Sequence, residues 1–250
     1  MFVNNLDPVI FSVGPVPIRW YGLAYVIGFL IVLIYGRNKV EKQNLLSKDE
    51  FTEFLVYIML GALVMARLFH VFVYNFNYYF QHPWQIPAVW LGGMSFHGGL
   101  VGAVLVALVY CYYKKISFYK LADIIIVPLA LALSVGRIAN FINGELVGRV
   151  TNVPWCVVFK NYTGCRHPVQ IYESLKNLFI FFVLFRLSNK KNLVPGFLFW
   201  SFIVLYGILR FLAEFIRDNG DVVLSTAQYL CIIMIVLGGF MLYYITSKSS

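Results

Sequence analysis

Seven stretches of mainly apolar residues, each long enough to cross a bilayer as a helix, limit the fold of this chain more than any other feature. A transmembrane helix needs about 20 such residues. By that measure spans fall near Trp20–Gly36, Phe51–Tyr74, Met94–Tyr113, Lys120–Ile142, Tyr172–Leu187, Gly196–Phe215 and Ala227–Ile245. Composition agrees, with 60% of the 250 residues hydrophobic and 12% charged, whereas soluble domains run at roughly 45–50% and about 25%. The expected fold is an all-α integral membrane protein, a bundle of about seven transmembrane helices forming a single domain over residues 1–250. The segment Gln81–Leu91 carries two prolines and reads as a loop or re-entrant piece. The longest polar connection, Asn143–Ile171, predicts a small extracytoplasmic cap over roughly 143–171. No positively charged region precedes the first apolar stretch, so that stretch is expected to stay in the mature protein.

A formal charge of +9 suggests an anionic partner, but in a membrane protein the basic residues are first sorted by loop, and no nucleic acid is expected. One set of alternate connections carries Arg37, Lys39, Lys42 and Lys48, then Lys114, Lys115 and Lys120, then Arg186, Lys190 and Lys191, and finally Lys248. The other set has no Lys or Arg before Arg19 or within Asn75–Gly93, and holds only Arg149, Lys160, Arg166 and Arg217 beyond. The positive-inside rule makes the first set cytoplasmic, and an odd number of spans then puts the N-terminus outside and the C-terminus inside.

Charged and polar residues inside spans are expensive and point to function. Arg67 and His70 lie late in the second span and His97 opens the third. Arg137 and Asn140 close the fourth, with Asn143 and Glu145 just beyond. Glu173 opens the fifth, and Tyr206, Arg210, Glu214 and Arg217 close the sixth at a spacing that lines one helix face. With the orientation above, all of them fall on the outer side. Paired arginines suit a phosphate because each guanidinium is a rigid bidentate fork, and the glutamates would hold them when no ligand is bound. The competing reading is that these residues are ion pairs joining helices. Gly98, Gly99 and Gly102 read as small-residue helix packing. Cys156 and Cys165 share an outer loop, either bridged or as two free thiols. The histidines show no shared ligand spacing, so no metal is expected.

Several local words then become recognisable. Gly136-Arg137-Ile138-Ala139-Asn140-Phe141-Ile142-Asn143-Gly144-Glu145, ending at Gly148-Arg149, resembles the signature of bacterial prolipoprotein diacylglyceryl transferases. Arg19-Trp20-Tyr21-Gly22, Ser95-Phe96-His97-Gly98-Gly99, Arg166-His167-Pro168-Val169-Gln170-Ile171-Tyr172-Glu173 and Tyr206-Gly207-Ile208-Leu209-Arg210 follow in that family's order. One departure is Arg217-Asp218-Asn219-Gly220-Asp221, where the family carries an Arg-x-Pro-Asp ending.

The resemblance implies transfer of the diacylglyceryl group of phosphatidylglycerol to the lipobox cysteine of a prolipoprotein signal peptide. It also implies a thioether product, released glycerol phosphate, a multi-pass protein of the bacterial inner membrane and no cofactor. On that reading Arg137 and Arg210 take the phosphate, while Tyr21 and Asn140 orient the headgroup. His97 is the candidate base. Glu145, Glu173 and Glu214 position the arginines, and Asn143 and Tyr206 complete the substrate site, with Glu145 a second candidate for moving the proton. Two other classes compete. A transporter of an anionic solute would show internal repeats and a midplane site. An intramembrane hydrolase would use Ser95 or Ser134 with His97, though neither serine lies in a Gly-x-Ser-x-Gly word.

Overall fold

A computed structural model describes residues 2–14, 16–220 and 223–248, so Asp221 of the departing motif lies outside the described residues. The long helices are α1 (Trp20–Lys42), α2 (Lys48–Phe69), α4 (Phe96–Lys114), α5 (Phe118–Asn143), α6 (Val169–Leu187), α7 (Phe197–Glu214) and α8 (Thr226–Ser247), with a short α3 (Phe76–Gln81) between α2 and α4. These long helices coincide with the seven predicted spans. Six of them are apolar and long enough to cross a membrane by length and composition alone. The exception, α6, carries Glu173, Lys176 and Arg186 in its 19 residues. Glu173 and Lys176 are buried, together with Gln170, Ser174 and Asn177, so the polar face of α6 is turned inward. The chain is an all-α, multi-pass membrane protein.

The contacts divide into two compact units, residues 36–121 and the combination of residues 1–35 with 122–250. In the smaller unit α2 begins at a capping box, in which Ser47 Oγ accepts from the Glu50 amide and the Glu50 carboxylate accepts from the Ser47 amide. Packing of α2 against α4 depends on glycine. A Cβ on Gly102 would stand 2.4 Å from the Gly61 carbonyl oxygen, and one on Gly98 would stand 2.5 Å from that of Met65. The backbones approach this closely because there is no side chain between them, which is how membrane helices gain packing without a hydrophobic driving force. After α2 the chain makes a π-turn (His70–Tyr74), then α3, then two short turns of helix at Pro83–Gln85 and Val89–Leu91. The predicted loop at Gln81–Leu91 is thus a run of short helical turns.

In the larger unit α5, α6 and α7 enclose a core of Ile126, Val127, Ala130, Ile180, Leu184, Leu198 and Phe202. Ser134 and Ser174 exchange hydrogen bonds between α5 and α6, their hydroxyl oxygens 2.8 Å apart. Asp123 of α5 accepts from the amides of Gly196 and Phe199 at 2.7 and 2.8 Å, and so satisfies the first turn of α7. Large apolar residues such as Phe182, Leu212, Val236 and Phe240 are exposed along the helices, as expected of faces solvated by lipid. The polar connection after α5 holds strands β4 (Val157–Phe159) and β5 (Cys165–Arg166). An N-terminal strand β1 (Phe2–Asn4) pairs parallel with β4, giving the order β1-β4-β5. Three residues are too few for an alternation pattern, which is why the sequence does not announce this strand. A second hairpin, β2 (Val9–Val13) with β3 (Val16–Arg19), leads into α1. Cys156 and Cys165 are bridged, closing the loop between β4 and β5.

Candidate active site

Glu173 on α6 is the centre of a buried ionic cluster. Its Oε1 accepts from Arg210 Nη1 on α7 at 2.6 Å, and its Oε2 accepts from Lys176 Nζ at 2.7 Å. Arg137 on α5 comes no closer to the same Oε2 than 3.8 Å, from Nε. Arg210 then reaches its second carboxylate, with Nη2 2.7 Å from Glu214 Oε2 one turn further along α7. Arg217 Nη1 stands 4.0 Å from that oxygen. The other Glu214 oxygen accepts from Asn219 Nδ2 at 2.9 Å and from Ser225 Oγ at 3.1 Å. Lys176 Nζ lies 4.0 Å above the centre of the Tyr206 ring, a cation–π contact that fixes both residues.

A second chain of bonds runs along the end of α5. Arg137 Nη1 donates to Asn140 Oδ1 at 3.4 Å, and Asn140 Nδ2 donates to Glu145 Oε1 at 2.7 Å. Asn143 Nδ2 reaches the same Glu145 oxygen at 3.5 Å. Gln170 holds the Glu145 backbone by donating to its carbonyl at 2.5 Å.

Among the described residues, Arg137, Lys176, Arg210 and Arg217 pair directly with Glu173 and Glu214 alone, a surplus of two positive charges in the ionic cluster. Glu145, reached through Asn140, reduces the surplus to one. Arg217 lies beyond the end of α7, where burial and then the like charge of Arg210 push its guanidinium below the ordinary value. An arginine stays protonated under such pressure, so Arg217 keeps its positive charge in the cluster. Arg217 itself is pinned by the backbone, since residues 147–149 pair with residues 216–218 and Arg166 bridges to Asp218 at 2.6 Å.

Of the residues expected to form the site, Arg137, Asn140, Asn143, Glu145, Glu173, Tyr206, Arg210 and Glu214 are linked by these contacts. Tyr21 belongs to the same unit, but its hydroxyl pairs with that of Tyr25 at 3.3 Å and not with the arginines. His97 lies in the smaller unit, exposed in the first turn of α4, with the Phe96 ring 5.8 Å away. Arg67 and His70 follow the structural reading. Buried Arg67 donates to the carbonyls of Gln85, Ile86, Gly92 and Gly93 and thereby fastens the loop before α4. His70 bonds to Asn75 and packs among Tyr74 and Tyr79. Ser95 caps α4 and Ser134 is committed to Ser174, so both candidate hydrolase nucleophiles already have structural roles.

Lys176 is the member of the cluster that the sequence reading passed over. A lysine three residues after a glutamate is an ordinary helical ion pair, yet its place inside an apolar span was the signal. Beyond the membrane helices, burial lowers the His167 pKa, and its Nδ1 sits 3.2 Å from the Tyr172 hydroxyl.

Comparison with known proteins bears on this arrangement. A family model for prolipoprotein diacylglyceryl transferases matches residues 8–244. Phosphatidylglycerol–prolipoprotein diacylglyceryl transferases are similar to the chain throughout. That of Geobacter sulfurreducens is 40% identical over 216 residues, covering 86% of this chain and 83% of the relative. That of Brucella anthropi is 40% identical over 225 residues, covering 86% and 80%. That of Brucella ovis is 41% identical over 224 residues, covering 85% and 80%.

Proposed function

The chain belongs to the prolipoprotein diacylglyceryl transferase family, and from that premise we infer that it moves the diacylglyceryl group of phosphatidylglycerol onto prolipoproteins. The acceptor is the lipobox cysteine of a prolipoprotein signal peptide. Its sulfur attacks the glyceryl carbon and forms the C–S bond. The C–O bond to phosphate breaks, its electron pair leaves on the phosphate oxygen, and glycerol phosphate departs. The thiol proton passes to a base.

The observation that carries the site assignment is the cationic surplus around Glu173. Negative charge grows on the departing phosphate, and guanidinium groups fixed beforehand stabilise it without reorganising. Arg137 is the principal phosphate ligand in this reading, because its closest approach to Glu173 is 3.8 Å, through Nε, and no carboxylate comes closer to it among the described residues. Lys176 occupies the Glu173 oxygen that would otherwise draw Arg137 into a tight pair. Arg210 keeps further N–H donors after bonding Glu173 and Glu214, and serves as the second phosphate contact. Asn140 and Tyr21 orient the headgroup, Asn143 and Tyr206 line its site, and Glu145, Glu173 and Glu214 position the cations. His97, exposed at the start of α4, takes the thiol proton. A thiol with a pKa near 8.5 needs such a base or a positive field to become a thiolate. The nucleophile belongs to the substrate, so the protein's own cysteines take no part.

The family resemblance implies a bacterial inner-membrane location, and the loop charges favour a periplasmic N-terminus and a cytoplasmic C-terminus. The direct test incubates the purified protein with phosphatidylglycerol and a lipobox peptide. The peptide should gain the mass of one diacylglyceryl group with stoichiometric glycerol phosphate. Release of free diacylglycerol with an unchanged peptide would instead support a hydrolase.

A further inference from the structure

Next to the arginine cluster, the larger unit contains a half-open cleft of about 650 Å³, a size typical of ligand sites. Its walls are the segment after β1, the end of α5 and the turn after β4, so they lie almost wholly outside the membrane-spanning helices. The cleft and the cluster differ sharply in chemistry. Where the cluster has surplus cations, the cleft has one lysine and one aspartate, Lys160 and Asp7, and its other polar side chains are the amides of Asn4, Asn5, Asn143 and Asn161.

Asn4 is committed to the fold, donating to the Phe141 carbonyl and accepting from the Leu6 amide. Asn143 Oδ1 is buried in the wall with no partner. Asn5 and Asn161 are exposed, and their side chains bond to no other described residue. Balanced charge gives little grip on a phosphate. Amides that each donate and accept match the paired N–H and C=O groups of an extended polypeptide. The two sites are connected, since Asn143 shares Glu145 with Asn140, which in turn bonds Arg137.

We propose that this cleft binds the acceptor polypeptide on the C-terminal side of its reactive cysteine, reading the backbone through the exposed amides of Asn5 and Asn161. The inference rests on the transferase reading. The apolar part of a signal peptide precedes the cysteine and suits the bilayer, while the chain after it is polar and needs a cradle outside the lipid. With both segments held, the cysteine lies at the junction of the cleft and the cationic cluster.

The test uses the full-length protein with two acceptor peptides, one cut just after the cysteine and one extended beyond it. Wild-type protein should show the lower KM for the extended peptide. The double variant Asn5→Ala/Asn161→Ala, which alters two exposed side chains, should raise that KM roughly tenfold, the effect of losing two hydrogen bonds of ordinary strength. Its KM for the cut peptide and for phosphatidylglycerol should not move. An unchanged KM for the extended peptide, or an equal rise for both peptides, overturns the proposal. A rise confined to phosphatidylglycerol does so too, and assigns the cleft to the lipid headgroup. As an independent measurement, a photo-crosslinker placed after the cysteine should attach within residues 4–8 or 160–161, and attachment only elsewhere counts against the site. Failure of the wild-type protein to modify either peptide would strike the transferase premise itself, and is thereby distinguished from failure of the cleft.

Discussion

At Arg137 the nearest carboxylate oxygen stands 3.8 Å from Nε, whereas Arg210 is held by two carboxylates at 2.6 and 2.7 Å. In the proposed reading, that difference separates a ligand-binding arginine from one that also holds helices together. Replacing Arg137 by lysine removes the planar fork but little of the fold, so turnover should fall roughly 10²–10³-fold, the usual loss for one strong transition-state donor, with the melting temperature nearly unchanged. Lysine at position 210 can place its ammonium against Glu173 or Glu214 but reproduces neither the spread nor the fork. Arg210→Lys should therefore lose both turnover and several degrees of melting temperature. The measurement is kcat together with thermal unfolding for each variant, and near-normal turnover in Arg137→Lys would sink the phosphate assignment. Much at this scale was legible in advance, because a buried charge in a membrane is costly enough to stand out. Eight of the ten expected site residues are joined in the contacts around Glu173 and Glu145. Spacing along one helix could not reveal which partner each charge chooses, so the central role of Glu173 and the presence of Lys176 emerged only from the fold.

Among the elements, α2 and α4 offer the sharpest case of packing mistaken easily for chemistry. Gly98, Gly99 and Gly102 follow directly on His97, yet two of them meet backbone across the helix interface, and their need for glycine is steric. A Cβ on Gly99 would come no closer than 3.5 Å to the Ala62 carbonyl. Gly99→Ala should thus be nearly silent, while Gly102→Ala forces the helices apart and should cost about 1–3 kcal/mol of stability, the usual range for overpacking. Denaturation of both variants in one detergent would compare them directly, and equal stability would show that the interface is looser than these distances imply. Helix positions were readable because apolar runs of this length admit few alternatives. The strands were not, since β1 and β5 span only three and two residues and β1 depends on a partner far away in the chain.

For the whole molecule, the decisive question is whether α6 crosses the bilayer. It is the only one of the seven long helices that fails the test of apolarity, because of Glu173, Lys176 and Arg186. At about 1.5 Å per residue its 19 residues reach roughly 28 Å, close to the hydrocarbon thickness. Its buried polar side chains face protein, while Leu175, Phe179 and Phe182 are exposed in positions suited to lipid. The six residues of α3 are too short to span, so if α6 crosses, seven crossings would result and the two termini would lie on opposite sides. In the orientation proposed above, the positive charges at Lys114–Lys120 and Lys190–Lys191 would then share the cytoplasmic side. Single cysteines in place of Asn161 and Asn189, both exposed and on either side of α6, test this directly. In a background with Cys111, Cys156, Cys165 and Cys231 replaced, an impermeant thiol reagent added outside whole cells should label position 161 and spare position 189 until the membrane is opened. Labelling of both from outside would mean that α6 does not cross. Labelling of position 189 alone would invert the orientation, and the cationic cluster would then lie on the wrong side to meet a prolipoprotein emerging from the cytoplasm.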